Sequence, residues 1–124
     1  MHLSRAQFQE LVRQAIEQLP DSFHRYLDRV VVDVEDEPTR EVCRATDTEH
    51  PSELLGFYEG VPLTEQSLDH PPMLPDRIIL YRRNIERTCN GREEIIAEIR
   101  DTVLHEIGHH FGLDEDDLED LGYG

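Results

Sequence analysis

The chain has 124 residues, which is the usual size of a single domain, and we expect one domain over residues 1–124. Its formal net charge is −16, from 28 acidic and 12 basic residues, and this charge repels phosphate backbones, so we expect no nucleic-acid partner. Lysine is absent, which excludes Schiff-base chemistry and a phosphate-binding loop that depends on lysine.

The N-terminal segment predicts an amphipathic helix. Ser4 followed by Gln7 is the pattern of a capping box, and Pro20 ends the helix because proline cannot continue it. A short helix is expected over residues 21–27. The apolar positions recur at steps of three and four, which is the spacing of a buried helical stripe: Phe8, Leu11, Val12, Ala15, Ile16 and Leu19.

The N-terminus mixes charges with apolar residues and lacks the hydrophobic core of a signal peptide. No later run is long enough to span a bilayer, so we expect no membrane partner and a cytoplasmic location. The two cysteines, Cys43 and Cys89, lack the spacing of a metal or redox motif and are expected to be free thiols.

The middle of the chain predicts three strands. The β-branched run at residues 30–34 and the apolar segments 54–60 and 77–83 have the composition of strands. Residues 36–53 are acidic and polar and predict a loop. Residues 70–75 contain three prolines and cannot form regular structure.

The longest predicted helix follows Asn90-Gly91, with Asn90 as its N-cap and Glu93 at the third position. Gly112 is placed to end it, because glycine accepts the left-handed conformation that follows many helices. A short acidic helix is expected over residues 114–121. The predicted buried stripe of the long helix comprises Ile95, Ile96, Ile99, Val103, Leu104, Ile107 and Phe111.

This helix contains His105-Glu106-Ile107-Gly108-His109, an HExxH motif. Residues four apart lie on one face of a helix, so both imidazoles can reach a single ion. Zinc accepts neutral imidazole nitrogens and keeps a water molecule in an open position. We therefore predict that His105 and His109 bind Zn²⁺ and that Glu106 is the general base.

The third metal ligand is predicted at Glu115, six residues after His109 and beyond the glycine that reverses the chain. Asp114, a water molecule and a remote ligand are the alternatives, because the acidic run after Gly112 also suits the start of a helix. His110 lies next to the motif and is expected to hydrogen-bond a neighbour rather than bind metal.

Three blocks of the sequence resemble the small bacterial zincin-like metallopeptidases, which are also described as minimal metzincin-like proteins: LLGFYEGVPLTEQS, LPDRIILYRR and DTVLHEIGHHFGLDEDDLEDLGYG. The resemblance implies an α+β fold in which a small mixed sheet packs on the HExxH active-site helix, together with an N-terminal helix. It also implies a zinc site with an acidic third position. Full metzincins carry a third histidine where this chain has Glu115, and a methionine turn is not expected after it.

The expected function is hydrolysis of peptide bonds in a peptide or protein substrate, by a chain that we expect to be a monomer. The strand around residues 54–58 could hold an extended peptide, and Tyr58 or Tyr123 could stabilise the oxyanion. Two alternatives are a non-catalytic protein-binding module with a weak or empty metal site and a purely structural metal site. Metal occupancy and solvent access at the motif distinguish the three.

Overall fold

The computed structural model describes residues 2–60 and 76–112. Within these ranges the elements follow the order that the sequence predicts, with two additional helices. The strands are β1 (Val30–Glu35), β2 (Gly56–Glu59) and β3 (Asp76–Tyr81), and a 3₁₀ turn spans Pro51–Glu53. The helices are α1 (Arg5–Glu17), α2 (Asp21–Leu27), α3 (Arg40–Ala45), α4 (Arg82–Thr88) and α5 (Arg92–His110).

Helix α1 begins with the predicted capping box. The Ser4 hydroxyl accepts from the backbone N–H of Gln7 at 3.1 Å, and the backbone N–H of Ser4 donates to the Gln7 side chain at 2.9 Å. These reciprocal bonds satisfy N–H groups that lack a partner inside the helix. Phe8, Leu11, Val12 and Ala15 of the predicted stripe are buried, Ile16 is partly buried, and α1 packs on α5, so the prediction of an amphipathic N-terminal helix is confirmed.

The sheet is mixed and has the order β1-β3-β2, with β1 parallel and β2 antiparallel to β3. Val32 of β1 and Tyr58 of β2 both pair with Ile78 of β3. The central position of β3 explains its composition, because Ile78, Ile79 and Leu80 are all buried. Among the described residues, β2 pairs on one side only, and the chain that enters it lines the cleft described below.

The loop prediction for residues 36–53 is wrong in its middle, where α3 forms. Thr39 caps this helix by accepting from the backbone N–H of Val42 at 3.2 Å. The strand predicted over residues 77–83 begins one residue earlier and ends at Tyr81, where α4 starts. The strand predicted over residues 54–60 is shorter at both ends.

Strand β3 ends where α4 begins, and the first turn of α4 is held by side-chain hydrogen bonds from Asn84. The Asn84 side chain is fully buried and donates to the backbone oxygens of Pro51 at 2.7 Å and Leu54 at 2.6 Å. These bonds hold the 3₁₀ turn and the start of β2 against α4, and local sequence patterns cannot reveal them.

Helix α5 is the centre of the core. Its N-cap is Gly91 rather than Asn90, whose backbone N–H instead donates to the Glu94 side chain at 2.9 Å, so that part of the prediction is wrong. Gly112 follows the helix with a φ of +69°, as predicted for the residue that ends it. The predicted stripe is buried from Ile95 to Ile107, and Phe111 packs partly buried against it. No helix among the described residues is long and apolar enough to cross a membrane.

Candidate metal and catalytic site

The HExxH motif occupies the last two turns of α5, where the buried stripe and the exposed face are sharply divided. Ile107 is fully buried in the core, and Gly108 is also buried. His105 and His109 are exposed on the opposite side, and Glu106 lies at the boundary between the two sides. The apolar residues of the stripe therefore determine which way the motif faces, and both imidazoles face solvent.

The two histidines suit a zinc ion in type and spacing. They stand four residues apart on one helix, so their imidazoles lie on adjacent turns of the same face. Neither imidazole has a hydrogen-bond partner among residues 2–60 and 76–112, so both ring nitrogens remain available as metal donors. Bound zinc usually has at least three protein ligands, so a third donor is required.

No cluster of three His, Cys, Asp or Glu side chains suited to a metal ion occurs within residues 2–60 and 76–112. The predicted third ligand, Glu115, and its alternative, Asp114, lie outside the described residues. Tyr123 lies outside them as well. The described part of the chain therefore contributes two of the predicted ligands and the predicted base.

Glu106 lies in an environment that favours its protonated form. Burial raises the pKa of its carboxyl group, whereas His109, a backbone hydrogen bond from Tyr58 and His105 act in the opposite direction. The net effect is a pKa above the usual value. A carboxylate with a raised pKa is a stronger base, and this is the direction that general acid–base catalysis near neutral pH requires.

A cleft of about 340 Å³ opens between the motif and the start of β2. One wall is the exposed face of α5, from Glu98 through Asp101 to Glu106. The other wall is the chain that enters β2, formed by Leu54, Leu55 and Gly56. The cleft therefore lies beside the chain that enters β2 and reaches His105 and Glu106.

Tyr58 does not present a free hydroxyl to this cleft. Its hydroxyl donates to the Asp76 carboxylate at 2.8 Å, and its ring stacks on His110 at a centroid distance of 3.8 Å and an angle of 13°. Burial and the hydrogen bond to Asp76 raise the pKa of Tyr58 above its usual value. The hydroxyl is committed to Asp76, which argues against the oxyanion role considered for it.

His110 faces this tyrosine and not the two motif histidines. Its Nε2 lies 3.5 Å from the Asp76 carboxylate, and its ring also contacts Phe111 edge-on. Sequence patterns did not identify Asp76, which is separated from His110 by 34 positions and has no motif around it. The only local signal for Asp76 is that it is an acidic residue at the first position of the central strand.

A helix that carries an HExxH motif on its exposed face beneath a small mixed sheet defines the zincin class of fold. The sequence matches the family model described as zincin-like metallopeptidase over residues 27–124, and the chain belongs to this family. No curated protein matches the sequence.

A solved structure of a conserved hypothetical protein from Thermus thermophilus is similar, with a TM-score of 0.57 and 27% sequence identity. The match covers 88% of this chain and 94% of that chain. The predicted α+β fold, with a small mixed sheet on the HExxH helix, is therefore confirmed.

Proposed function

We propose that the protein is a zinc-dependent metallopeptidase that hydrolyses peptide bonds. The observation that carries the proposal is the position of the HExxH motif at the end of a cleft bounded by β2. In the proposal His105 and His109 hold the metal, Glu115 completes its ligands, and Glu106 is the catalytic base.

A zinc ion held by these ligands would supply Lewis acidity, which polarises a carbonyl group and lowers the pKa of a water molecule. Glu106 is adjacent to His105 in the chain, so its carboxylate would be placed to take a proton from the attacking water without itself being a ligand. It accepts the water's proton as the carbonyl carbon is attacked and then donates that proton to the leaving amine.

The substrate in this proposal is an extended peptide that lies in the cleft beside Leu54, Leu55 and Gly56. An extended chain can add to the open edge of a sheet through main-chain hydrogen bonds, with side-chain pockets supplying selectivity. The cleft has Leu54, Leu55 and Gly56 on one side and residues of α5 from Glu98 to Glu106 on the other. The peptide bond to be cleaved would lie at the end occupied by His105 and Glu106.

The first test measures metal content in the purified protein. About one zinc ion per chain is expected, since a catalytic site binds a single ion through three protein ligands. His105→Ala and His109→Ala should abolish binding, and Glu115→Ala should weaken it strongly. Asp116→Ala is the matched control for general acidity and should leave zinc binding unchanged; an effect equal to that of Glu115→Ala would contradict the ligand assignment.

The second part of the test measures peptide hydrolysis. Glu106→Gln keeps the shape of the side chain and removes the base, so turnover should fall by about 10²–10⁴-fold while zinc content is unchanged. Hydrolysis by the wild-type protein should stop on chelation and return when zinc is restored. Unchanged turnover in Glu106→Gln, or no hydrolysis by the zinc-loaded wild type across a broad peptide library, would rule out the proposed activity.

A further inference from the structure

Three side chains that are distant in the sequence meet at the C-terminal end of α5, and we call them the Tyr58 bracket: Tyr58, Asp76 and His110. Tyr58 donates its hydroxyl to Asp76 at 2.8 Å and stacks its ring on His110, whose Nε2 lies 3.5 Å from the same carboxylate. The side chains of Asp76 and His110 are only 24% and 26% exposed. A Cβ atom on Gly60 would lie 2.7 Å from the Asp76 carboxylate, so glycine leaves the room that this carboxylate occupies.

Glu106 lies beside the bracket. The backbone N–H of Tyr58 is directed at the Glu106 carboxylate and lowers its pKa, while the ring of the same tyrosine lies on His110. Glu106 and His110 are one turn apart on the same face of α5. A single residue of β2 therefore attaches to the helix at two successive turns.

A third contact extends this alignment by one more turn. A Cβ atom on Gly56 would lie 2.6 Å from the Thr102 Cγ2 atom, so β2 approaches α5 closely there as well. Thr102, Glu106 and His110 are spaced by four residues, which is a rise of about 6 Å per step. Gly56 and Tyr58 are two strand residues apart, which is about 6.8 Å. The two spacings nearly match. Gly56 and Tyr58 therefore lie beside successive turns of α5, next to the row of residues formed by Thr102, Glu106 and His110.

The register determines where the Tyr58 N–H points. A glutamate side chain has three rotatable bonds, and a half-buried carboxylate at the end of a cleft needs a fixed donor to hold one orientation. The N–H of Tyr58 is such a donor only while Tyr58 itself is held. Its hydroxyl and its ring are held by Asp76 and His110.

We propose that Asp76 and His110 are positioning residues, which act through Tyr58 to hold its backbone N–H on the Glu106 carboxylate. Their catalytic effect rests on the proposed function, but their structural effect does not. Asp76 supplies the acceptor for the hydroxyl, and His110 supplies the surface on which the ring lies. Neither residue contacts the substrate or the metal in this proposal.

The structural arm of the test follows hydrogen exchange at the Tyr58 backbone amide by NMR. Tyr58→Phe, Asp76→Ala and His110→Ala should each speed this exchange by about tenfold or more, because the amide opens locally when the bracket is broken. Asp76→Asn keeps an oxygen that accepts from the Tyr58 hydroxyl and should stay within about threefold of the wild type. The Ile99 amide, in the core of α5, should exchange at the wild-type rate in all variants.

Tyr26→Phe is the matched control, because the Tyr26 hydroxyl is exposed and accepts only from Arg25 among the described residues. It should leave the Tyr58 amide unchanged. Unchanged exchange at Tyr58 in all three bracket variants would overturn the proposal. Equally faster hydrogen exchange at the Tyr58 and Ile99 amides would also overturn the proposal, because it would show that the bracket only stabilises the fold as a whole.

The kinetic arm uses the zinc-loaded protein and a cleaved peptide. Tyr58→Phe and Asp76→Ala should lower kcat by about 10–100-fold, because small displacements of a reacting group have large effects on rate, with KM changed by less than about twofold. Zinc content should not change, and Asp76→Asn should restore kcat. A raised KM with unchanged kcat, or an equal loss in Tyr26→Phe, would contradict the positioning role. Absence of turnover in the wild type would instead refute the proposed function, while the exchange measurements would still decide whether the bracket holds Tyr58.

Discussion

At the scale of single residues, the partly buried carboxyl group of Glu106 reduces the stability of the fold when it is ionised. Burial raises the pKa of its carboxyl group in the folded chain above the ordinary value of 4.5. The folded state therefore binds this proton more tightly than the unfolded state does. Below the unfolded pKa both states are protonated and folding is not penalised; as the pH rises through the folded pKa, this contribution to stability is lost.

We therefore predict that Glu106→Gln stabilises the metal-free protein at about pH 7 and has little effect at about pH 4, since glutamine carries no charge to bury. Chemical denaturation of chelator-treated protein at the two pH values measures the difference. Removing any negative charge from a strongly acidic chain also reduces repulsion, so Glu98→Gln, on the same helix, serves as the control for that general effect. A larger gain at pH 4 than at pH 7 would have the wrong sign for this explanation.

The motif residues could be identified from sequence because their relation is local. His105, Glu106 and His109 lie within five positions of one another, and the helix that carries them has a strong apolar stripe. The partners of Tyr58 could not be identified in this way, because Asp76 and His110 lie 18 and 52 positions away from it. Sheet register and the angle of β2 on α5 bring them together, and neither quantity is encoded in a short segment.

At the scale of elements, the contact between β2 and α5 depends on the absence of a side chain at Gly56. A Cβ there would lie 2.6 Å from Thr102 Cγ2 and 3.3 Å from the backbone oxygen of Ile79. The methyl group of Thr102 has little freedom, because its hydroxyl donates to the backbone oxygen of Glu98 at 2.8 Å. An added methyl group at position 56 must therefore push the strand away from the helix.

We predict that Gly56→Ala lowers the free energy of unfolding by about 1–3 kcal/mol, the usual cost of an overpacked core. The double variant Gly56→Ala/Thr102→Ser should recover most of this loss, because serine lacks the methyl group in the way. Urea denaturation of the single and double variants measures both values. Gly91→Ala is the control: no atom lies within 4 Å of its added Cβ, and a loss of only about 0.5 kcal/mol from the changed N-cap is expected. Failure of serine to rescue would show that Ile79, and not Thr102, resists the change.

The elements that sequence patterns predicted correctly are those whose signal is strong within a single segment. Helix α1 has both a capping box and a regular stripe, and β1 has a β-branched run. Helix α3 has six residues, none of them buried, so its apolar pattern carries no information and only the Thr39 cap marks it. Helix α4 follows β3 without a break, and the change from strand to helix depends on the bonds that the Asn84 side chain makes to Pro51 and Leu54.

At the scale of the whole molecule, acidic residues greatly outnumber arginines, and the ion pairs are concentrated around β3 and α4. Arg77 bridges Asp33 and Glu59, Arg82 pairs with Asp36, and Arg87 pairs with Glu37. The guanidinium of Arg82 lowers the pKa of Asp36 below its usual value. These pairs join β3 and α4 to neighbouring segments, but they leave most of the acidic charge unbalanced.

We predict that added salt stabilises the fold, because screening the repulsion of a net charge of −16 outweighs the weakening of exposed ion pairs. The melting temperature should rise by about 3–6 °C between roughly 20 mM and 500 mM NaCl, which corresponds to about 1 kcal/mol for a chain of this size. Thermal unfolding followed by circular dichroism measures it. KCl at equal ionic strength should give the same rise, and a fall in melting temperature with either salt would show that the ion pairs dominate.

The strand order also determines when the protein can fold during its synthesis. The strand that completes the sheet, β3, pairs with both β1 and β2 but is the last of the three to leave the ribosome. Until β3 emerges, β1 and β2 have no partner among the described strands. Helix α1 packs on α5, which is synthesised after β3, so α1 lacks its packing partner for longer. The nascent chain therefore exposes its valine-rich first strand until β3 has been synthesised and the apolar face of its first helix until α5 has been synthesised, and this interval is when it is most open to aggregation and to chaperones.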